Sequence, residues 1–366
     1  MSLPFTPLVQ SLPASTPFVG PETLERQRGE QFRARIGANE SAFGISPNAT
    51  RAITDALNTP GVSWYADPEN YDLRCALAEK HGVHIDEICV DAGIDSLLGL
   101  TVRLFVEPGT AVVTSAGAYP TFNYHVAGFG GELNTVNYRD NKEDPDALLA
   151  ATKSHNAKLC YLANPDNPMG TSHPDHVVQA MIDDLPDHCT LCLDEAYIDF
   201  TDAPLAPAID TANPQVIRFR TFSKAYGMAG MRVGYAIAHK DIITAFNKVR
   251  NHFAMNRLSQ LAALASVKDD AFLTAVRKQV KEGRQRIEHM ADNLQLSWLP
   301  SATNFVAVDL ETTERAQQLL KLLQHKNVFM RMPGVAPLNR YIRVGVGTVD
   351  EQAYLEEVLG ELLHGL

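Results

Sequence analysis

The sequence lacks the features that would send it to a membrane or to nucleic acid. No run of about 18 apolar residues occurs, so no membrane-spanning helix is expected. The first residues, Met1 to Pro7, carry neither a basic start nor a long apolar stretch and do not read as a signal peptide. Positive charge is in short supply: 32 Lys and Arg face 43 Asp and Glu, a net charge of −11. That balance argues against nucleic acid or an anionic lipid surface as a partner. Cysteine is sparse as well. Five thiols, an odd number and widely scattered, suit a reducing cytoplasm better than a disulfide framework. Cys189 and Cys192 form the one Cys-x-x-Cys pair, but no second pair or His-x-x-x-His accompanies it. No metal site is therefore expected, and the two read as buried thiols of a strand. Internal repeats and low-complexity segments are absent, and no Gly-x-Gly-x-x-Gly follows an early strand, which leaves no support for a nicotinamide-binding protein.

What remains is a chain of 366 residues, 45% hydrophobic and 20% charged, long enough for two domains. Short β-rich runs alternate with helical stretches through its middle. The runs are Glu87 to Val90, Ala111 to Thr114, Lys158 to Leu162, Thr190 to Leu193, Val216 to Phe219 and Gly234 to Ala238. Alternation of this kind predicts an α/β fold, a mainly parallel sheet flanked by helices, with ligands bound at the carboxyl ends of the strands. From Asp241 to about Leu296 the pattern is helical, and a long helix is expected within 269–295. Ala302 to Leu310 and Tyr341 to Val346 read as strands of a smaller α+β domain, closed by an amphipathic helix over 348–363. The Pro-rich first 35 or so residues read as an irregular arm. The division expected is 1–40 for the arm and part of the small domain, 41–250 for a large cofactor-binding domain, and 251–366 for the linking helix and small domain.

The chemistry is concentrated after the strands. In Thr221-Phe222-Ser223-Lys224, a lysine follows hydroxyl residues, and Arg232 comes beyond a Gly/Ala/Met stretch. A lysine amine can form a Schiff base with an aldehyde, and hydroxyls with a guanidinium can hold a phosphate. An aldehyde and a phosphate on one small molecule describe pyridoxal 5′-phosphate. Such a cofactor needs a carboxylate beside its ring nitrogen, and Asp194 stands at the end of an apolar run. Tyr197 and Asn167 could bond the ring's phenolic oxygen. Gly93, Ile94 and Asp95 open a helix whose backbone N–H groups could bind the phosphate, with Asp95 or Ser96 as the cap. Tyr119 could stack on the ring. Taken singly, each motif has an ordinary structural reading as a loop, a cap or a core aromatic.

Together these motifs resemble the fold-type I, class I/II aminotransferases, and most closely their histidinol-phosphate aminotransferase-like branch. The likeness also takes in Ala38-Asn39-Glu40-Ser41, Tyr65-Ala66-Asp67, Asn164 to Gly170 and Tyr341 to Thr348. It implies a large α/β domain, a small α+β domain, and a transaminase that moves an amino group between an amino donor and a 2-oxo acid. It also implies a homodimer with shared sites, in which Tyr65 reaches the neighbouring subunit's phosphate. Lys224 is implied as the covalent lysine, Asp194 as the partner of the ring nitrogen, and Arg343 as the binder of the substrate's anionic group. Arg331 is a second candidate for that role, and Asn39 is also placed at the substrate. A decarboxylase of amino-acid phosphates on the same scaffold is the alternative. Three departures stand out: Pro17-Phe18 where histidinol-phosphate enzymes carry Pro-Tyr, Ala66 for a proline, and Ser96 for a glutamate. Phe18 lacks the hydroxyl that would donate to a substrate phosphate.

Overall fold

The computed structural model describes residues 3–14 and 19–365. The Pro17-Phe18 departure lies outside the described residues.

Among the described residues, eleven strands form three sheets. In chain order they are β1 (Ala34–Arg35), β2 (Ile88–Asp91), β3 (Ala111–Ser115), β4 (Glu132–Val136), β5 (Leu159–Ala163), β6 (Thr190–Asp194), β7 (Val216–Thr221), β8 (Gly234–Ile237), β9 (Phe305–Asp309), β10 (Val328–Phe329) and β11 (Tyr341–Gly345). The central sheet has seven strands in the order β2-β8-β7-β6-β5-β3-β4. Its strands run parallel except β8, which is antiparallel to both β2 and β7. The reason is local. Strands β7 and β8 are joined by the short connection 222–233 rather than by a crossover helix, and a short connection reverses the chain. Lys224 lies in that connection.

Strands β5 and β6 are buried at every position, as expected of parallel strands covered on both faces. One face packs with Leu97, Leu98 and Val102 of helix Ile94–Phe105 and with Phe122 and Val126 of helix Pro120–Gly128. The other packs with Leu148 and Leu149 of helix Pro145–Ser154 and with Val178 and Met181 of helix Asp175–Asp183. Cys192 lies on the first face and Cys189 on the second. Both thiols are free and buried.

The remaining strands form two small sheets, β9 antiparallel to β11 and β1 parallel to β10. Helix Asp270–Asn293 packs against β9, and helix Val349–Leu363 starts from a capping box of Thr348 and Glu351. Because β1 pairs with β10, the N-terminal segment is tied to the C-terminal part of the chain. The described part of the arm is not irregular throughout. Helices Pro7–Ser11 and Pro21–Arg28 form there, each with proline at its first turn, where the missing N–H is harmless.

Candidate active site

The site gathers at the carboxyl ends of β5, β6 and β7, where the topology of an open α/β sheet collects ligands. Asp194 is the last residue of β6 and is 5% exposed. One carboxylate oxygen accepts the N–H of Ala196 at 2.9 Å, and the other accepts the hydroxyl of Tyr161 at 2.6 Å. Burial is the main influence on this carboxyl and pushes its pKa up to about 6, against the pull of those two donors. The cations on the neighbouring strand are already engaged. Arg218 and Arg220 of β7 pair with Glu195 at 3.1 and 2.8 Å.

Lys224 follows β7. Its Nζ donates to the carbonyl oxygen of Asn39 at 3.2 Å and sits 5.6 Å from the centre of the Tyr197 ring. Burial first, then the positive charge of Arg343, lowers its pKa to about 8, while Glu40 and Asp95 work in the opposite direction. Tyr197, in the turn after β6, accepts a hydrogen bond on its hydroxyl from Asn39 Nδ2 at 3.0 Å. Asn39 has a left-handed backbone, φ 56°, and its buried Oδ1 has no hydrogen-bond partner. Arg343, on β11, donates to Asn167 Oδ1. Its Nε is buried without a partner, and its guanidinium lies 5.6 Å from the Phe305 ring centre. Asn167 therefore has its oxygen engaged and its amide N–H groups free to donate elsewhere.

A second cluster forms where helix Ile94–Phe105 begins. Its cap is Gly93, with φ 87° and no side-chain bond to the first turn. The expected caps do other work. Ser96 Oγ donates to Asp91 at 3.0 Å, and Asp95 accepts the Tyr119 hydroxyl at 2.8 Å. The sequence reading of Asp95 or Ser96 as the cap is thus corrected. The open helix start faces a basic group: Arg232 donates to Ser223 Oγ at 3.3 Å and stands 3.5 Å from Asp95. A Cβ on Gly93 would come within 2.5 Å of the Arg232 guanidinium, and one on Gly234 within 2.7 Å of the Ile94 nitrogen. The hydroxyl of Thr221 accepts the Ser223 N–H at 3.0 Å and donates to Val233 O at 3.2 Å.

Two candidates stand differently. Tyr65 is 81% exposed and packs on Phe253, with ring centres 4.9 Å apart. Arg331 accepts the Arg343 backbone N–H at 2.8 Å through its carbonyl, and its guanidinium donates to Val19 O at 2.7 Å. The sequence reading did not reach Tyr161 or Asn304. Asn304 Nδ2 donates to the carbonyls of Asn39 and Glu40 at 3.2 and 3.1 Å and so fixes the loop that Lys224 touches. Tyr161 carried one signal, a phenol inside an otherwise apolar strand. Ala163 of β5 pairs with Asp194 of β6, and strand alternation puts Tyr161 on the same face as Ala163.

The family model "Aminotransferase class I and II" matches residues 35–362. The chain belongs to the class I and II aminotransferases. Among curated proteins it is similar to histidinol-phosphate aminotransferase of Moorella thermoacetica, 30% identical over 93% of this chain and 88% of that protein. It is also similar to histidinol-phosphate aminotransferase 2 of Pseudomonas fluorescens, 32% identical over 90% of this chain and 88% of that one. Among solved structures, histidinol-phosphate aminotransferase from Sinorhizobium meliloti in complex with pyridoxal-5′-phosphate superposes with TM-score 0.95. It is 48% identical and covers 100% of this chain and 99% of that one. An aspartate aminotransferase from Thermus thermophilus, 22% identical with TM-score 0.84 over 100% of both chains, shares the fold. This transaminase is therefore histidinol-phosphate aminotransferase-like, and it works on an amino donor and a 2-oxo acid. Nothing in the comparisons favours the decarboxylase.

Proposed function

We propose that Lys224 covalently holds the pyridoxal 5′-phosphate with which this aminotransferase works. The observation that carries this reading is a pair of groups on adjoining strand ends. Asp194 is a buried carboxylate under strain from its burial, and Lys224 is an amine whose proton is loosened. A cationic ring nitrogen suits the first, and an aldehyde carbon suits the second. The cap-less start at Gly93, with Ile94 and Asp95 behind it and Thr221, Ser223 and Arg232 beside it, suits a phosphate. Asn39 Oδ1 and Arg343 Nε are buried polar atoms without a partner, on residues whose other atoms bond Lys224 and Asn167.

When bound, the cofactor supplies an electron-accepting ring for the carbanion left as the substrate Cα–H breaks. The chain's own groups do the rest. Lys224 Nζ takes the α proton and returns it at the end of the half-reaction. Asp194 would stabilise a positive ring nitrogen. Tyr197 and Asn167 would donate to the phenolic oxygen, and Tyr119, oriented by Asp95, would offer its ring for stacking. Arg343 binds the substrate's anionic group, with Asn39 fixing the adjoining wall. Arg331, whose backbone pairs with Arg343, is the second candidate for that anion. The amino donors that fit are those with an anionic group for Arg343, histidinol phosphate among them, as in the named relatives.

We place the protein in the cytoplasm as a homodimer. Supporting the dimer is an exposed apolar patch of Val62, Trp64, Tyr65 and Phe253, from which Tyr65 would reach the phosphate in the second subunit's site. The test is a half-reaction screen. Amino acids and histidinol phosphate are mixed in turn with the cofactor-loaded protein while the absorbance of its bound cofactor is followed. Lys224→Ala should lose the covalent absorbance and turnover. A variant that kept both would refute the assignment.

A further inference from the structure

The geometry points to Tyr161 as the residue that aims Asp194 and governs where the proton between Asp194 and the ring nitrogen resides. This inference rests on the proposed reading of Asp194. Tyr161 lies in the middle of β5, is 0% exposed, and stacks on Phe122 with ring centres 4.8 Å apart and planes at 22°. Its hydroxyl reaches Asp194 Oδ2 at 2.6 Å, within the range of charge-assisted O–H···O bonds. Full burial raises the phenol far above its ordinary value, so it stays a neutral donor wherever the protein is folded. With Ala196 N–H on the other oxygen, both oxygens of the carboxylate are held from the protein side.

The surroundings make that donor matter. The charged groups that bear on Asp194 are carboxyls: Asp95 and Glu195 raise its proton affinity, and Asp166 and Glu143 lie close enough to feel it in return. Asp95 and Glu195 push Asp194 toward the protonated state, as does burial. Tyr161 works the other way, because a hydrogen bond to the ionised form favours that form. A less basic Asp194 leaves the proton on the ring nitrogen. The ring then stays positive and draws electrons more strongly. The phenyl support from Phe122 keeps the hydroxyl in line, so the effect depends on aim as well as charge. Tyr161 is fully buried and acts through Asp194, so its role is positioning.

The test is a visible-absorbance pH titration of the cofactor-loaded protein, with Tyr161→Phe and Asp194→Asn beside the wild type. Deleting the hydroxyl should make Asp194 more basic and the ring less positive. The lysine–cofactor linkage then holds its proton more tightly, and the titration midpoint rises by about one unit. The kcat should fall about tenfold with KM for the amino donor nearly unchanged, since the effect is on the ring and not on donor binding. A Phe122→Leu variant keeps the hydroxyl but loosens its aim. It should shift the midpoint the same way by less, and it stands in if Tyr161→Phe does not fold. An unmoved midpoint in Tyr161→Phe, or in Phe122→Leu standing in for it, beside a clear shift in Asp194→Asn would overturn the role of Tyr161. An unmoved midpoint in Asp194→Asn would remove the reading of Asp194 itself.

Discussion

Raising the pH over the cofactor-free protein tests the proposed capture of the cofactor by Lys224. Lys224 has its pKa lowered from 10.5 to about 8, chiefly by burial and next by Arg343. Only the neutral amine attacks an aldehyde. At pH 7 a pKa of about 8 leaves roughly a tenth of the amine neutral, whereas an ordinary lysine would have about 0.03%. The site is thus expected to capture pyridoxal phosphate roughly 300-fold faster than an exposed lysine of equal access. The sign is definite. The neutral fraction grows as pH rises, so the capture rate climbs through a midpoint near 8 and then levels off. Stopped-flow absorbance on the apoprotein measures this profile. Arg343→Gln removes a positive charge that disfavours the ammonium, so its midpoint should move up. A wild-type midpoint close to 10.5, or a downward move in Arg343→Gln, would refute the account of how burial and Arg343 prepare the amine.

Other expectations follow the same geometry. Gly93→Ala places a Cβ against the Arg232 guanidinium at a left-handed backbone position; affinity for pyridoxal phosphate should drop by tenfold or more with about 1–2 kcal/mol of stability lost, read by cofactor titration and thermal melting. Glu195→Gln leaves Arg218 and Arg220 buried without their anion, and the apoprotein should lose about 3–5 kcal/mol, visible as a large drop in melting temperature. For Asp194 the folded pKa of about 6 lies above the ordinary 3.8, so the folded apoprotein holds the proton more tightly than the unfolded chain. Its stability contribution is present below pH 3.8 and is lost as pH rises through 6, by about 3 kcal/mol. Asp194→Asn should flatten that part of the apoprotein stability profile. Tyr65→Phe should weaken cofactor binding without changing the melting of isolated subunits; equal affinity to wild type would count against a phosphate contact across a dimer.

Much of the central sheet was legible because its strands are buried on both faces. Runs such as Leu159-Cys160-Tyr161-Leu162-Ala163 and Thr190-Leu191-Cys192-Leu193 need no tertiary information to read as parallel strands. The helix over Asp270–Asn293 and the closing helix over Val349–Leu363 declare themselves by period and by cap. Strand β4, Glu-Leu-Asn-Thr-Val, did not. It lies at the sheet edge with its side chains largely outside the core, so it carries no apolar alternation. The two-residue strands β1 and β10 are equally silent, since a pairing across the length of the chain leaves no local mark. At the site, residues just after strands could be found, because topology puts ligands there. Asn304 and Tyr161 act through side chains whose targets lie on other segments, and nothing local announces such a contact. The helix cap shows the opposite failure. Asp95 and Ser96 have the right chemistry for a cap, but Tyr119 and Asp91 compete for them, and the glycine before them takes the position.

Arg232 holds a backbone that arginine ordinarily avoids, with φ 54° just past the short 3₁₀ turn Ala229–Met231. Glycine would relax that residue and return about 1 kcal/mol. It would also delete the guanidinium that meets Ser223 and Asp95. Efforts to harden this enzyme against heat will therefore meet a conflict at this position, where a substitution that eases the backbone disarms the proposed anion pocket, and thermostabilising changes are better sought elsewhere on the chain.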